Sequence, residues 1–225
     1  MSKILTFLHT SPVHIATFDH LLAESNLPIP IKHMVNESLL EEAQQHGSVT
    51  PDLARKIRHI IENELATTAA IVLCTCSTIG GEAEKVANTL RVDRPMAAKA
   101  VKLGSKIIIA AALATTFAPT RQIVLDEAQK AAKAVEISEL LCGNAWQKFI
   151  AGDKTAYLTE IAHHLQTVDG QADVIILAQA SMANATTLVN MVTPVLSSPR
   201  LGLETAIQTY LTEVGKPATP ILPDR

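Results

Sequence analysis

The sequence predicts an α/β protein built as two pseudo-symmetric lobes, with mainly parallel sheets and a cleft between the lobes. Three observations lead there. Short β-like runs alternate with amphipathic helical patterns along almost all of the 225 residues, and parallel neighbours require crossover helices. The second half of the chain repeats the first. Lys3 of "KILTF" lies over Lys106 of "KIIIA", and Cys76 of "IVLCTCST" over Gln179 of "VIILAQAS", both at an offset of 103 (106 minus 3, 179 minus 76). Thr10 with Thr115 and Pro95 with Pro199 fall at offsets of 105 and 104. Finally, 48% hydrophobic residues in a chain of this length can bury a sizeable core.

In order, "KILTFLH" reads as a strand followed by a helix over 12–25. "IPIKHMV" is the next strand, followed by helices over 37–46 and 51–66. The second of these is the clearest: Leu53, Ile57, Ile60, Ile61 and Leu65 make one face, Thr50 caps it and Pro51 takes the first turn. "AAIVLC" is a strand leading to a helix over 79–90. The second half gives "KIIIAAA" and a helix over 117–132, then "VEISELLC" and a helix over 154–168 capped by Asp153. "DVIILA" precedes a helix over 181–191, and "PVLSS" a helix over 200–214. The first lobe is expected to span 1–98, with the C-terminal segment 200–225 packing back on it; the second spans 99–199.

Composition excludes several functions. With 19 basic against 22 acidic residues and no dense Lys/Arg run, no phosphate-tracking surface for nucleic acid is expected. The longest apolar stretch, "IIIAAALATTFA" at 107–118, is too short to span a bilayer. Three cysteines, an odd number, without a signal-peptide pattern point to reduced thiols in a soluble, cytoplasmic protein. The sequence has no GxGxxG fingerprint, P-loop or GxSxG elbow.

The chemistry concentrates where strands give way to helices. Thr10, Ser11, Ser77, Thr78, Thr115, Thr116 and Ser181 all stand at such turns, and in open parallel sheets ligands bind outside the carboxyl ends of the strands. Hydroxyls and free backbone N–H groups there make an anion site without a cation, and a small carboxylate is the natural occupant. Each hydroxyl taken alone also reads as a helix cap.

Cys76 precedes Ser77-Thr78 at the same kind of turn, where a following helix favours the thiolate, so it reads as a nucleophile or proton-transfer base. A buried filler is the competing reading. Cys74 falls inside the strand and Cys142 at the end of another, both as packed thiols. "CTC" is not a metal or redox spacing, and no second Cys/His cluster accompanies it, so no metal is expected. His163 and His164 read as a surface pair; His9 and His14 flank the first cleft loop and could touch a ligand.

Two tandem α/β lobes, with "TCST" after a strand of the first and "ILAQASMA" at the matching place in the second, resemble the aspartate/glutamate/hydantoin racemase superfamily along essentially the whole chain. The resemblance implies Rossmann-like lobes and catalysis without metal, pyridoxal phosphate or other cofactor. It also implies a homodimer or higher homo-oligomer. In that superfamily a cysteine followed by Asn or Ser and then Thr stands in the first lobe, as Cys76, Ser77 and Thr78 do here. A second cysteine stands in the other lobe, and the two thiols work on opposite faces of the substrate carbon.

Here the second position is Gln179, an amide that neither removes nor delivers a proton at neutral pH. The expected function is a cofactor-independent racemase or isomerase acting on a small carboxylate or amino-acid derivative through Cys76. Gln179 and the turn hydroxyls would hold the substrate. A one-cysteine lyase such as a decarboxylase, and a non-catalytic carboxylate-binding protein, remain alternatives.

Overall fold

A computed structural model describes residues 3–215. Its centre is a pair of four-stranded parallel sheets. In the first, β1 (Ile4–His9) lies between β2 (Ile31–Val35) and β3 (Ala69–Cys74), with β4 (Thr89–Arg91) beyond β3. In the second, β5 (Lys106–Ala111) lies between β6 (Glu136–Leu141) and β7 (Val174–Leu177), with β8 (Val195–Leu196) beyond β7. The orders β2-β1-β3-β4 and β6-β5-β7-β8 are the same order twice, as the internal repeat requires.

The strands are joined by α1 (Val13–Ser25), α2 (Ser38–His46), α3 (Pro51–Thr67), α4 (Ser77–Ala83) and α5 (Arg94–Leu103) in the first half. In the second half come α6 (Phe117–Lys130), α7 (Ala145–Ile150), α8 (Lys154–Gln166) and α9 (Ser198–Val214). Both expected caps form: Thr50 Oγ1 accepts from the Leu53 amide at 3.2 Å, and Asp153 Oδ1 from that of Ala156 at 2.9 Å. No helix among the described residues is long and apolar enough to cross a membrane.

Five elements differ from the sequence reading. The helix expected over 79–90 stops at Ala83; Asn88 turns with a φ of 58° and the chain enters β4, where pairing of Thr89 with Val72 overrides local propensity. The segment expected as a helix over 181–191 is a 3₁₀ run, Ala180–Leu188. Neither α5 nor α7 was expected. Of the expected C-terminal segment 200–225, α9 ends at Val214, and 216–225 lie outside the described residues.

α5 and α9 each pack on a sheet other than the one whose last strand they follow. α5 follows β4 of the first sheet, yet Met96, Ala97, Ala100 and Val101 pack among Ile107, Ile109, Val174 and Ile176 of the second. α9 follows β8 of the second sheet, yet Leu203, Ala206, Ile207 and Tyr210 pack among Leu5, Phe7, Ile71 and Leu73 of the first. Position 98 falls inside α5. Gly202 lets α9 approach closely: a Cβ there would sit 2.5 Å from both the side chain and the carbonyl of Val92.

An ion cluster, buried at Arg91 and Asp93, sits where β4 leads into α5. Arg91 donates to both carboxylate oxygens of Asp93, at 2.7 and 2.9 Å, with neither side chain more than 3% exposed. Arg94 donates to Glu84 and, at 2.7 Å, to Glu127 on α6. The pair Gly80-Gly81 on α4 has its reason here, because a Cβ on Gly80 would lie 3.1 Å from Arg91 Nε.

Candidate active site

The carboxyl ends of β1, β3, β5 and β7 converge on a cavity of about 40 Å³ between the lobes. The turn after β1 brings Thr10 and Ser11, with His14 from α1; the turn after β3 brings Thr75, Cys76, Ser77 and Thr78. The second lobe brings Leu113, Thr116, Gln179, Ala180 and Ser181, and Leu40, Trp146 and Phe149 close the space. Thr115 does not line it, and its Oγ1 is buried without a partner. The neighbouring Thr116 hydroxyl bends back to donate to the Leu113 carbonyl at 2.6 Å.

Cys76 occupies the extended residue before α4, with φ −105° and ψ 118°, and its side chain reaches the cavity while remaining 8% exposed. Gln179 occupies the matching residue before the 3₁₀ run, with φ −122° and ψ 139°. Its Oε1 accepts from the Ala112 amide at 2.7 Å, so that end of the amide is already engaged. Ser77 Oγ donates to the Ala178 carbonyl at 2.6 Å across the cleft, and Ser181 Oγ lies 2.7 Å from Tyr157 OH. Thr78 Oγ1 is buried with no hydrogen-bond partner.

The other two thiols are packed. Cys74 donates to the Cys76 carbonyl at 3.6 Å, and burial, then its neighbour Cys76, pushes its pKa well up. Cys142 sits among Tyr157, Leu158 and Ile161, where burial, then Glu160, pushes its pKa up to about 12. Burial lowers the His14 pKa to about 4, so its ring is neutral at pH 7. His9 does not line the cavity; burial, then His14 and His33, lowers its pKa to about 3. His163 and His164 lie on α8, away from the site.

The sequence reading missed Thr75, Leu40, Leu113, Trp146 and Phe149. Thr75 stood between the two cysteines, where strand alternation predicts a side chain turned away from theirs; β3 ends at Cys74, and Thr75 lines the cavity with Cys76. The apolar wall gave no signal, because Trp146 and Phe149 come from α7. Among the described residues, no group of three or more His, Cys, Asp or Glu side chains could hold a metal ion.

A second cavity of about 120 Å³ adjoins the first and shares His14, Phe149, Ala180 and Ser181 with it. Val13, Tyr157 and Ala183 form its apolar wall, and Lys154 and Asn184 its polar side.

The sequence matches no protein-family model and no curated protein. Solved structures match along nearly the whole chain. An aspartate racemase of Picrophilus torridus aligns with a TM-score of 0.69 at 14% identity, over 97% of this chain and 96% of its own. A glutamate racemase of Francisella tularensis, solved with D-glutamate, aligns at 0.66 and 12% identity, over 96% and 84%. A Gly74Cys mutant of arylmalonate decarboxylase aligns at 0.56 and 14% identity, over 97% of both chains. The protein is thus a two-lobed α/β protein with its cavity at the carboxyl ends of both sheets. Its fold is the one these solved structures share.

Proposed function

We propose that the protein is a cofactor-independent enzyme of racemase or isomerase type, acting on a small carboxylate or amino-acid derivative through the Cys76 thiol. One observation carries this reading. In a fold shared with racemases, a single cysteine faces a cavity walled by both lobes, beside a buried hydroxyl, Thr78 Oγ1, that has no partner. The described lining holds no Lys or Arg. A carboxylate would therefore be held by hydroxyls and the backbone N–H groups that begin helical turns, with Thr78, Thr10 and Ser11 supplying the hydroxyls. The same donors stabilise the enolate-like charge that develops as a proton leaves the carbon next to the carboxylate.

The cavity beside Cys76 is close to one water's share of liquid volume, about 30 Å³. A substrate larger than that would extend from Cys76 into the adjoining second cavity. A one-thiol lyase is the second reading, favoured by Gln179: its Oε1 is tied to Ala112, and an amide transfers no proton. In that case Cys76 protonates one face of a carbanion left by loss of carbon dioxide.

The test is a thermal-shift screen of small carboxylates followed by product analysis of each hit. A carboxylate that raises the melting temperature and is converted in a Cys76-dependent way supports the proposal. Racemized or isomerized product selects the first reading, and released carbon dioxide the second. Shifts from nucleotides or sugars alone, with no carboxylate effect, overturn it.

A further inference from the structure

β1, β2 and α1 each bring a histidine behind the Cys76 turn: His9, His33 and His14. Thr75 Oγ1 lines the cavity and lies 2.8 Å from His9 Nδ1. His9 Nε2 lies 2.8 Å from His33 Nδ1, and His33 Nε2 3.0 Å from Asp19 Oδ1. Burial falls away along this line: His9 is fully buried, the His33 side chain is 15% exposed and that of Asp19 53%. Phe7 stacks on both imidazoles, with ring centroids 5.9 Å from His9 and 4.9 Å from His33, and holds them in register. The other titratable ring facing His9 is His14 of α1, at 6.2 Å between centroids.

We infer that Thr75, His9, His33 and Asp19 form a proton wire between the cavity and solvent, which lets the site lend out one proton and take it back. This rests on the enzymatic reading above only for its use in turnover. The wire has two fully hydrogen-bonded arrangements. In one, the Thr75 hydroxyl donates to His9 Nδ1, His9 Nε2–H donates to His33 Nδ1, and His33 Nε2–H donates to Asp19. In the other, the Thr75 hydroxyl turns to the Leu8 carbonyl, 3.2 Å away, and accepts from His9 Nδ1–H. His9 Nε2 then accepts from His33 Nδ1–H, while His33 Nε2–H still faces Asp19.

The second arrangement holds one more proton. A proton arriving from the cavity bonds to Thr75 Oγ as the hydroxyl proton passes to His9 Nδ1; the His9 Nε2–H proton moves to His33 Nδ1. The product is a neutral His9 and a His33 imidazolium beside the Asp19 carboxylate. The reverse sequence returns the proton to the cavity. Burial keeps His9 neutral in both states, as its lowered pKa requires; it passes the charge on and does not store it. Thr75 is the group that meets the cavity, and the other three act through it.

Nuclear magnetic resonance of the full chain labelled with ¹⁵N in its histidine rings tests the wire without any substrate. As pH is lowered, His33 should gain its charge with the same midpoint at which His9 moves its ring proton from Nε2 to Nδ1. His33→Phe should abolish the His9 switch. A His9 tautomer that stays fixed while His33 charges overturns the wire.

The turnover arm uses aspartate, glutamate and phenylmalonate as probes. For whichever is converted, Thr75→Val and His33→Phe should lower kcat about 100-fold, the lower end of general acid–base contributions, with KM changed less than about twofold. Added imidazole should restore part of the rate to His33→Ala. Wild-type kcat in both variants overturns the wire's role in turnover. If the wild type converts none of the probes, the enzymatic reading loses support, and the ring-nitrogen result still decides the wire.

Discussion

Ser77 Oγ donates a 2.6 Å hydrogen bond to the carbonyl of Ala178, joining the two lobes through residues 101 positions apart. Both ends are buried, and the bond joins the two walls of the cleft beside Cys76. It fixes the separation of the two walls between which a substrate must fit. Ser77→Ala leaves that carbonyl without its partner, and the expected cost is about 1–3 kcal/mol. A fall in the urea midpoint together with weaker stabilisation by carboxylates is the predicted result. An unchanged midpoint would mean that the strut contributes nothing.

Alkylation should distinguish the thiols. At pH 8 iodoacetamide should modify Cys76 first, since burial keeps Cys142 protonated up to about pH 12 and raises Cys74 as well. Cys76→Ala should abolish turnover with little loss of stability. Cys74→Ala, in the middle of the first lobe's packing, should lower stability and spare the chemistry. Peptide mapping that finds Cys74 or Cys142 labelled first contradicts this assignment.

Replacement of Gln179 tests how many faces of the substrate carbon carry a proton-transfer group. Gln179→Cys places a thiol at the residue that matches Cys76 in the other lobe. If Cys76 is the one proton-transfer group, the variant should scramble, for a substrate with an exchangeable α-proton, stereochemistry that the wild type preserves, followed as enantiomeric excess and deuterium uptake together. The variant also removes the acceptor of the Ala112 amide, so a stability loss of about 1–3 kcal/mol should accompany it. Rapid racemization by the wild type itself would rule out a site with a single proton donor.

Acid should destabilise the fold through two buried rings. His14 and His9 have folded pKa values lowered to about 4 and about 3, below the unfolded value near 6.5. Between those limits the unfolded chain binds more protons, so stability is complete above about pH 6.5 and falls as pH drops, by about 1.4 kcal/mol per pH unit for each ring. His14→Gln should remove roughly half of this slope between pH 6 and 4.5. Urea midpoints across that range measure it, and an unchanged slope would show that His14 charges freely in the fold.

Close packing of α9 gives a prediction far from the cavity. Gly202→Ala forces a methyl against the Val92 carbonyl, which, as backbone, has little room to yield. The expected loss is about 1–3 kcal/mol, seen as a lower melting temperature with cavity chemistry intact. A variant as stable as the parent would show that the helix shifts without cost.

The architecture was legible because a repeat carries long-range information. The offset linking Cys76 to Gln179 predicted that the second sheet would copy the first, and the strand orders agree. What local patterns could not carry was lost. β4 is three residues long and exists through its pairing with β3, too short for any periodicity. α5 begins with Arg-Pro and continues in alanine and lysine, so its buried face shows only against the other lobe's sheet. At the site, the turn hydroxyls and Cys76 were legible from their places after strands. Their partners were not: the Ser77 bond to Ala178, the Gln179 bond to Ala112 and the contact of Thr75 with His9 join residues 66 or more positions apart.

The exchange of α5 and α9 has a consequence during synthesis. Leu5, Phe7, Ile71 and Leu73 emerge from the ribosome before the second lobe, but part of the surface that covers them, on Leu203, Ala206, Ile207 and Tyr210, is made only after it. Phe18 of α1 reaches that face early, but the part that α9 covers stays open while nearly the whole second lobe is translated. The nascent chain is most exposed to chaperones and aggregation over that interval, and a ribosome that stops before α9 releases a product with that part of the face still open.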